Sequence, residues 1–269
     1  IFHVVLTGSV RLVLPNVEER ILEAGDIAFI PAGAEHRFLH PEAVWRNYSL
    51  LHEFNGHRND PVHLGEGLCN SLILSVRCLV DVEMARPLLS SLPPSIVIQQ
   101  GLEGSGPVWL RLGLEFLALE SELYRPGRDT LINRLISMFL IECVRDYVEQ
   151  LPKNANNWLN AVRDPYLSPV LSAIHAKPAH GWTVVELASI ACLSRSAFAE
   201  RFSQIVGQPP LTYLTQYRLR LATRLLIQQD LSISRVSEKV GYASETAFSQ
   251  AFRRQYDVSP SQYKKEHAV

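Results

Sequence analysis

The stretch that decides the fold reads LSRSAFAERF at residues 193–202, and it returns as ASETAFSQAF at residues 243–252. Serine, alanine and two phenylalanines recur at an offset of 50 residues, and Pro210 and Pro260 keep the same offset. In each copy the phenylalanines lie four residues apart, which is the spacing of one helix face. The duplication therefore predicts two equivalent helical units in the last hundred residues.

Each copy is predicted to contain two helices joined by a tight turn. An apolar pattern precedes the turn at Val184–Ile190 and again at Ile233–Val240, and a serine that can cap the second helix follows it. Between the copies, Leu211–Gln229 has the periodicity of one long helix. This arrangement indicates a helix-turn-helix, present twice and joined by a connecting helix.

The second helix of each copy carries hydrogen-bonding side chains opposite its phenylalanines. Such side chains can reach base edges, and arginines at the margin suit phosphates. A solvated face would more often pair Glu with Lys at i, i+4. We therefore predict that DNA meets Arg195, Ser196, Ala199 and Glu200 in the first copy and Glu245, Thr246, Ser249, Gln250 and Arg253 in the second. The alternative is an all-α repeat of helical hairpins that binds no nucleic acid, or that binds another protein.

The charge of the chain is unevenly distributed. The overall net charge is −1, but residues 161–269 hold 13 Lys and Arg against 8 Asp and Glu, a net of +5. Residues 1–160 hold 13 against 19, a net of −6. This asymmetry indicates an acidic module joined to a basic one, so the near-neutral total does not exclude a nucleic-acid partner.

The first half begins with short apolar segments separated by turns, including a predicted strand at Val44–Leu51. Evenly spaced strands of this kind favour a small barrel or sandwich. Helical periodicity then takes over at Met84–Leu92, 107–123 and 129–150, and a breaker with Pro152 follows. The predicted fold class is α+β in two domains, a β-barrel with trailing helices at residues 1–151 and an all-α double helix-turn-helix at 164–269, joined by a linker at 152–163.

Residues 164–266 resemble the DNA-binding domain of AraC-type transcription regulators. The resemblance rests on WTVVELA at 182–188, GQPP at 207–210, YRLRLA at 217–222, VGYAS at 240–244 and SPSQY at 259–263. It implies a bacterial, cytoplasmic regulator whose two recognition helices enter successive major grooves of double-stranded promoter DNA, with RNA polymerase as a further partner. Cys192 and Asp257 depart from the family, which usually has glycine at both positions, so we expect an altered turn at Cys192.

The segment GDIAFIPAGAEH at residues 25–36 resembles the second conserved motif of cupins. This resemblance implies a ligand-binding barrel, and His3, Arg11 and His36 are the candidate residues of a pocket for an unknown small-molecule effector. Simple barrel packing for the histidines and surface exposure for Arg11 are the alternatives. Metal-binding cupins also use two histidines and a glutamate from a first motif, which would precede or overlap Ile1. We therefore expect no metal and no other cofactor, and a barrel cut short at its N-terminus.

The remaining expectations concern assembly and location. The apolar faces of helices 107–123 and 129–150 predict a homodimer contact, the alternative being that they pack only on the barrel. The four cysteines are scattered without a C-x-x-C pair, which favours a reduced, cytoplasmic chain, and no membrane partner is expected. The protein is predicted not to be an enzyme. The rival in that class is a cupin dioxygenase or isomerase with an accessory helical domain.

Overall fold

The structure is a computed structural model that describes residues 1–40, 70–78, 80–99, 108–122, 125–152, 158–228 and 231–267. The chain divides into two compact units. The sheet unit comprises Ile1–Leu79 and Leu92–Gln150, and the helical unit comprises Val80–Ser91 and Leu151–Val269.

Two antiparallel sheets form the centre of the sheet unit. The strands are β1 Phe2–Thr7, β2 Ser9–Val13, β3 Arg20–Glu23, β4 Ile27–Phe29, β5 Arg37–Leu39, β6 Leu72–Val76 and β7 Ile96–Ile98. Four of them form a sheet in the order β6-β1-β4-β7, and three form a sheet in the order β3-β2-β5. The strand predicted at Val44–Leu51 lies outside the described residues.

The helices fall into both units. In chain order they are α1 Val82–Leu89, α2 Val108–Glu122, α3 Arg128–Gln150, α4 Trp158–Arg163, α5 Leu167–Ala176, α6 Val184–Ile190, α7 Arg195–Val206, α8 Pro210–Gln228, α9 Ile233–Lys239, α10 Glu245–Tyr256 and α11 Pro260–His267. Helices α2 and α3 belong to the sheet unit, and the others belong to the helical unit. None of the helices in the described ranges is both long and apolar enough to cross a membrane.

Strand β1 is buried on both of its faces. Successive side chains of a strand point to opposite faces. Phe2 and Val4 belong to a core shared with α2 and α3, and the Phe2 ring stacks on Phe139 with centroids 5.8 Å apart. Val5 belongs to a second core, with residues of β2 and β4 such as Leu12. The strand thus separates a helix-covered face from the space between the two sheets.

The helical unit has two apolar cores, one for each helix-turn-helix copy. Phe198 and Phe202 are fully buried in the first core, and Phe248 and Phe252 are fully buried in the second. Helix α8 contributes to both, because its first half packs in one core and its second half in the other. The predicted double helix-turn-helix and its connecting helix are therefore present.

The unit boundary falls after Gln150, but two segments differ from the predicted division. The segment predicted as a linker, 152–163, contains α4, whose Leu159 and Ala161 are buried; residues 153–157 of it lie outside the described residues. The proline and asparagines before α4 gave the whole stretch a loop-like composition. The second difference is Val80–Ser91, which belongs to the helical unit although the chain order puts it inside the first predicted domain.

Candidate nucleic-acid interface and sensor site

Side-chain caps fix where the four helices of the two copies begin. Thr183 caps α6 in a reciprocal arrangement: its hydroxyl accepts from the Glu186 N–H, and the Glu186 carboxylate accepts from the Thr183 N–H at 2.8 Å. The other three caps are serines whose Oγ accepts a backbone N–H three residues on, at Ser194 for α7, Ser232 for α9 and Ser244 for α10. The predicted serine caps of α7 and α10 are confirmed.

The two turns share one geometry. Cys192 and Gly241 both have left-handed backbone, with φ of 52° and 86°. In each turn the next N–H donates to a carbonyl five residues earlier, from Leu193 to Ala188 at 3.0 Å and from Tyr242 to Ser237 at 2.9 Å. Cys192 and Gly241 are thus equivalent although 49 residues apart, whereas the capping serines are 50 apart. The altered turn expected at Cys192 is therefore not found. The second turn is one residue longer, which the offset of 50 concealed.

The C-terminal ends of α7 and α10 are also equivalent. Gly207 and Asp257 follow these helices with φ of 81° and 61°, and each donates its N–H to the carbonyl four residues earlier. Left-handed backbone costs glycine nothing, and aspartate tolerates it better than most residues. Asp257 therefore serves where the first copy has glycine.

All nine residues predicted to meet DNA lie away from the cores of α7 and α10. Two are half-buried, Ala199 and Ser249, and seven are exposed, namely Arg195, Ser196, Glu200, Glu245, Thr246, Gln250 and Arg253. Arg254, which the sequence reasoning missed, lies beside Gln250, Arg253 and Asp257 around one open depression on α10. Its exposure on the same helix as Arg253 makes it a further candidate for a phosphate contact.

A buried carboxylate ties the first recognition helix to α5. Asp164 is 8% exposed, and its Oδ1 accepts from the N–H groups of Tyr166 and Leu167 at 3.0 Å each. Its Oδ2 also accepts from Nε and Nη2 of Arg201 on α7. Burial opposes ionisation of Asp164, but Arg201 and the two N–H groups outweigh it and hold the carboxyl pKa below its usual range. This pair connects α7 to the N-terminal end of α5.

A second contact set joins the two helix-turn-helix copies. Arg218 of α8 donates from Nε to the carbonyl of Pro178 and from Nη2 to that of His180, both at 2.7 Å. The loop that carries those carbonyls also approaches the second turn. A Cβ at Gly241 would lie 2.6 Å from Cα of Ala179 and 2.8 Å from its carbonyl oxygen. The junction therefore holds the second turn against the first copy at a separation that only glycine permits.

In the sheet unit the structure brings His3 and His36 together. Their Nε2 atoms are 2.8 Å apart, His3 Nδ1 is 2.7 Å from Oγ of Ser75, and His36 Nδ1 is 2.8 Å from the Ala34 carbonyl. A carbonyl can only accept, so with both rings neutral the protons are assigned in one order: Ser75 donates to His3, His3 to His36 and His36 to Ala34. Burial, followed by the neighbouring His36, lowers the His3 pKa to about 3.

Arg11 does not join this pair. It alternates along β2 with the buried Val10 and Leu12, so it lies on the other face of that strand, with Nη1 3.5 Å from a carboxylate oxygen of Glu19. The alternation is visible in the sequence and could have separated Arg11 from the histidines. In the described part of the chain, no group of three or more His, Cys, Asp or Glu side chains could hold a metal ion.

Comparison with known proteins identifies the family. Residues 1–149 match the cupin family, and residues 187–266 match a helix-turn-helix domain family. The transcriptional regulator AlkR of Acinetobacter baylyi is 44% identical over 99% of this chain and 88% of its own length. The chain belongs to the AraC-type transcription regulators. The RCS-specific transcriptional activator RclR of Escherichia coli is 30% identical over 98% of this chain and 83% of its own length.

Among solved structures, the regulator resembles the DNA-binding domain of AdpA in complex with a target DNA. The two are 33% identical, with a TM-score of 0.37, over 38% of this chain and 92% of that one. The family membership confirms the predicted double-stranded DNA partner and the two-domain fold. The matched relatives are regulators of transcription, which supports the prediction that the protein is not an enzyme.

Proposed function

We propose that the regulator reads two successive major grooves of promoter DNA, one with α7 and one with α10. The observation that carries this proposal is the junction at Arg218 and Gly241, which fixes one copy against the other. Successive major grooves on one face of B-DNA are roughly 34 Å apart, so two helices can enter both only when they are held in a defined relation. The modest net charge of the helical unit favours reliance on both helices together.

The test is binding of the full chain to the DNA upstream of its own coding sequence and to random DNA, over a salt titration. Neutralisation of several phosphates should give a log–log salt slope of about −5. The upstream DNA should be preferred at every salt concentration. Arg195→Ala and Gln250→Ala should each reduce that preference about tenfold or more, because a base contact supplies about 1–3 kcal/mol of discrimination.

Arg37→Ala is the matched control, since Arg37 is an exposed arginine on β5 of the sheet unit, ion-paired with Glu35. It should leave both the affinity and the preference unchanged. Equal affinity of the wild-type chain for upstream and random DNA would refute sequence-specific reading.

We also propose that the sheet unit senses a small molecule at the His3–His36 pair. Two hydrogen-bonded imidazoles beside an apolar core can give up the hydrogen bond between them and form one with a polar group of a ligand instead. The alternative is that the pair only completes the interior of the sheets.

A thermal-shift screen of small molecules on the wild type and on His36→Phe separates these two possibilities. An effector of this site should stabilise the wild type in proportion to its concentration and should fail on the variant. Ligands that stabilise both proteins equally would show that the histidine pair is not part of the ligand-binding site.

We further propose that the regulator is a homodimer formed through α2 and α3. Besides their buried faces, both helices present apolar side chains to solvent: Val108, Leu112 and Phe116 at a spacing of four on α2, and Leu131, Met138 and Ile141 on α3. A surface helix that is apolar on two faces usually has a second partner, and a second copy offers the same surface in return.

Sedimentation of Leu112→Glu tests the dimer. The variant should be monomeric at concentrations where the wild type is dimeric, and Val185→Glu, at an exposed valine on α6, should sediment as the wild type does. A monomeric wild type would contradict the proposal.

In the cell we expect the regulator to act in the cytoplasm, with RNA polymerase as its partner at the promoter.

A further inference from the structure

Helix α1 belongs to one unit by chain order and to the other by contact. In sequence it lies between β6 and β7, the two edge strands of the four-stranded sheet. In space it belongs to the helical unit, where it contacts α4 and the connecting helix α8. Helix α1 is therefore bounded on both sides by strands of the sheet unit but is itself a part of the helical unit, which carries the two helix-turn-helix copies.

The carboxylate of Glu83 on α1 accepts a hydrogen bond from the second helix-turn-helix copy. Asp81 caps the helix by accepting the Met84 N–H at 3.1 Å. Two residues on, Glu83 pairs with Arg86 through Oε1, and its Oε2 accepts a hydrogen bond from the Tyr256 hydroxyl at 3.2 Å. The Glu83 side chain is only 20% exposed, whereas that of Arg86 is 61% exposed. The contact from Glu83 to Tyr256 spans 173 residues of sequence.

Tyr256 connects this contact to the second recognition helix. It is the last residue of α10, and its ring lies 4.7 Å from that of Phe252, which is fully buried in the second core. Its ring also neighbours Tyr263 of α11 at 5.7 Å. The Glu83 hydrogen bond is thus made at the C-terminal end of the helix that carries Gln250 and Arg253.

The buried guanidinium of Arg220 on α8 is a second reason why the carboxylate of Glu83 is favourable on α1. Arg220 is 6% exposed, and its Nε and Nη2 atoms are buried without a hydrogen-bond partner in the described ranges. Burial lowers the pKa of Arg220, and so does Arg86 of α1, while Tyr213, Tyr256 and Glu83 favour its charged form. An unpaired buried cation is costly. Glu83 is the carboxylate among the groups that offset this cost, and it comes from α1.

The other end of the same segment leads to the candidate sensor site. Strand β6 pairs with β1, and the partner of His3 in that register is Ser75. Ser75 also holds His3 Nδ1 at 2.7 Å. Only eight positions of chain separate Ser75 from Glu83. A rearrangement at the histidine pair thus has a short covalent route to α1.

We propose that α1 is a built-in partner of the DNA-binding unit: the surface formed by α8 and Tyr256 receives it through Glu83, and this contact transmits the state of the sensor to the second recognition helix. The regulatory part rests on the proposed sensing function. The contact itself and its effect on DNA affinity do not, because both are measurable without an effector.

The test uses the full chain as wild type, Glu83→Gln, Tyr256→Phe and the double variant. Glu35→Gln is the matched control, because Glu35 is also ion-paired with a nearby arginine, Arg37, but lies in the sheet unit just before β5. Hydrogen exchange of the peptide covering 82–89 reports the contact. Affinity for the upstream DNA and for random DNA reports its effect.

Both single variants should speed exchange of α1 about fivefold or more and should change the DNA affinity at least threefold in the same direction. The double variant should change hydrogen exchange and DNA affinity no more than either single variant does, because the two substitutions remove the same hydrogen bond. Glu35→Gln should change neither measurement by more than about 1.5-fold.

Faster hydrogen exchange of α1 with unchanged DNA affinity would show that α1 only stabilises the helical unit, and it would refute transmission of the sensor state to the second recognition helix. Unchanged exchange, or effects that add in the double variant, would overturn the contact. A wild-type chain without preference for its upstream DNA would contradict the proposed function instead, and exchange together with affinity for random DNA would still decide the role of α1.

Discussion

Replacing Gly241 by alanine should destabilise the helical unit by about 2–5 kcal/mol. An L-residue in left-handed backbone costs about 1–2 kcal/mol, and the φ of Gly241 is 86°. The new Cβ would also lie 2.6 Å from Cα of Ala179 and 2.8 Å from its carbonyl oxygen, both of them backbone atoms that cannot swing aside. Relieving such an overlap typically costs about 1–3 kcal/mol.

Cys192→Ala is the internal control for this prediction. Cys192 has the same turn geometry with φ of 52°, so its backbone already accommodates a Cβ. Removing its exposed sulfur should change the free energy of unfolding by less than about 0.5 kcal/mol. Cys192→Ala therefore controls for a change of side chain in this turn without any change in backbone strain.

The assay is urea unfolding of residues 151–269, which contain both helical cores, followed by far-ultraviolet circular dichroism. With a denaturant slope of about 1–3 kcal/mol per molar urea, the midpoint of Gly241→Ala should fall by about 1 M or more. A Gly241→Ala midpoint equal to that of the wild type would refute the close approach. A loss in Gly241→Ala no greater than that in Gly207→Ala, where the backbone is also left-handed but a Cβ would meet nothing within 4 Å, would assign the cost to the backbone and leave the junction without a role.

Three further predictions follow from the same structure. Asp164→Asn should cost about 1–2 kcal/mol at pH 7, a figure reduced because the Arg201 side chain is 40% exposed. Since the Asp164 pKa is lowered on folding, the gap to the wild type should close as the pH falls below about 4, and a gap independent of pH in urea titrations would contradict the charge argument. Ser194→Ala and Ser244→Ala should each cost about 1 kcal/mol as lost helix caps; a change in melting temperature within error for both would show that the caps contribute nothing. His3 should remain neutral throughout pH 5–8 in nuclear magnetic resonance titrations, because its pKa is lowered to about 3, and titration of His3 near pH 6.5 would disprove its burial.

The double helix-turn-helix could be predicted because its signals are local. A capping serine and two phenylalanines four residues apart specify where a helix begins and which face is buried, without reference to the rest of the chain. Cys192 and Asp257, at positions where the family usually has glycine, both have left-handed backbone, so the altered turn expected at Cys192 was wrong. The one-residue difference in turn length was missed, because the repeat was aligned on the serine caps and not on the first helices.

The contacts that connect distant segments could not be predicted in this way. Nothing near Glu83 indicates that its hydrogen-bond partner is Tyr256, since 173 residues separate them. The Asp164–Arg201 pair and the approach of Gly241 to Ala179 likewise depend on tertiary structure. In the sensor site the pairing of two histidines was anticipated only as a shared pocket.

The most direct test of two-groove reading is a hydroxyl-radical footprint of the full chain on the DNA upstream of its own coding sequence. The account predicts two protected clusters on one face of the DNA, about 10 base pairs apart. Arg195→Ala should weaken one cluster, and Gln250→Ala should weaken the other. A single protected cluster, or two clusters that both variants weaken equally, would contradict the assignment of one groove to each recognition helix.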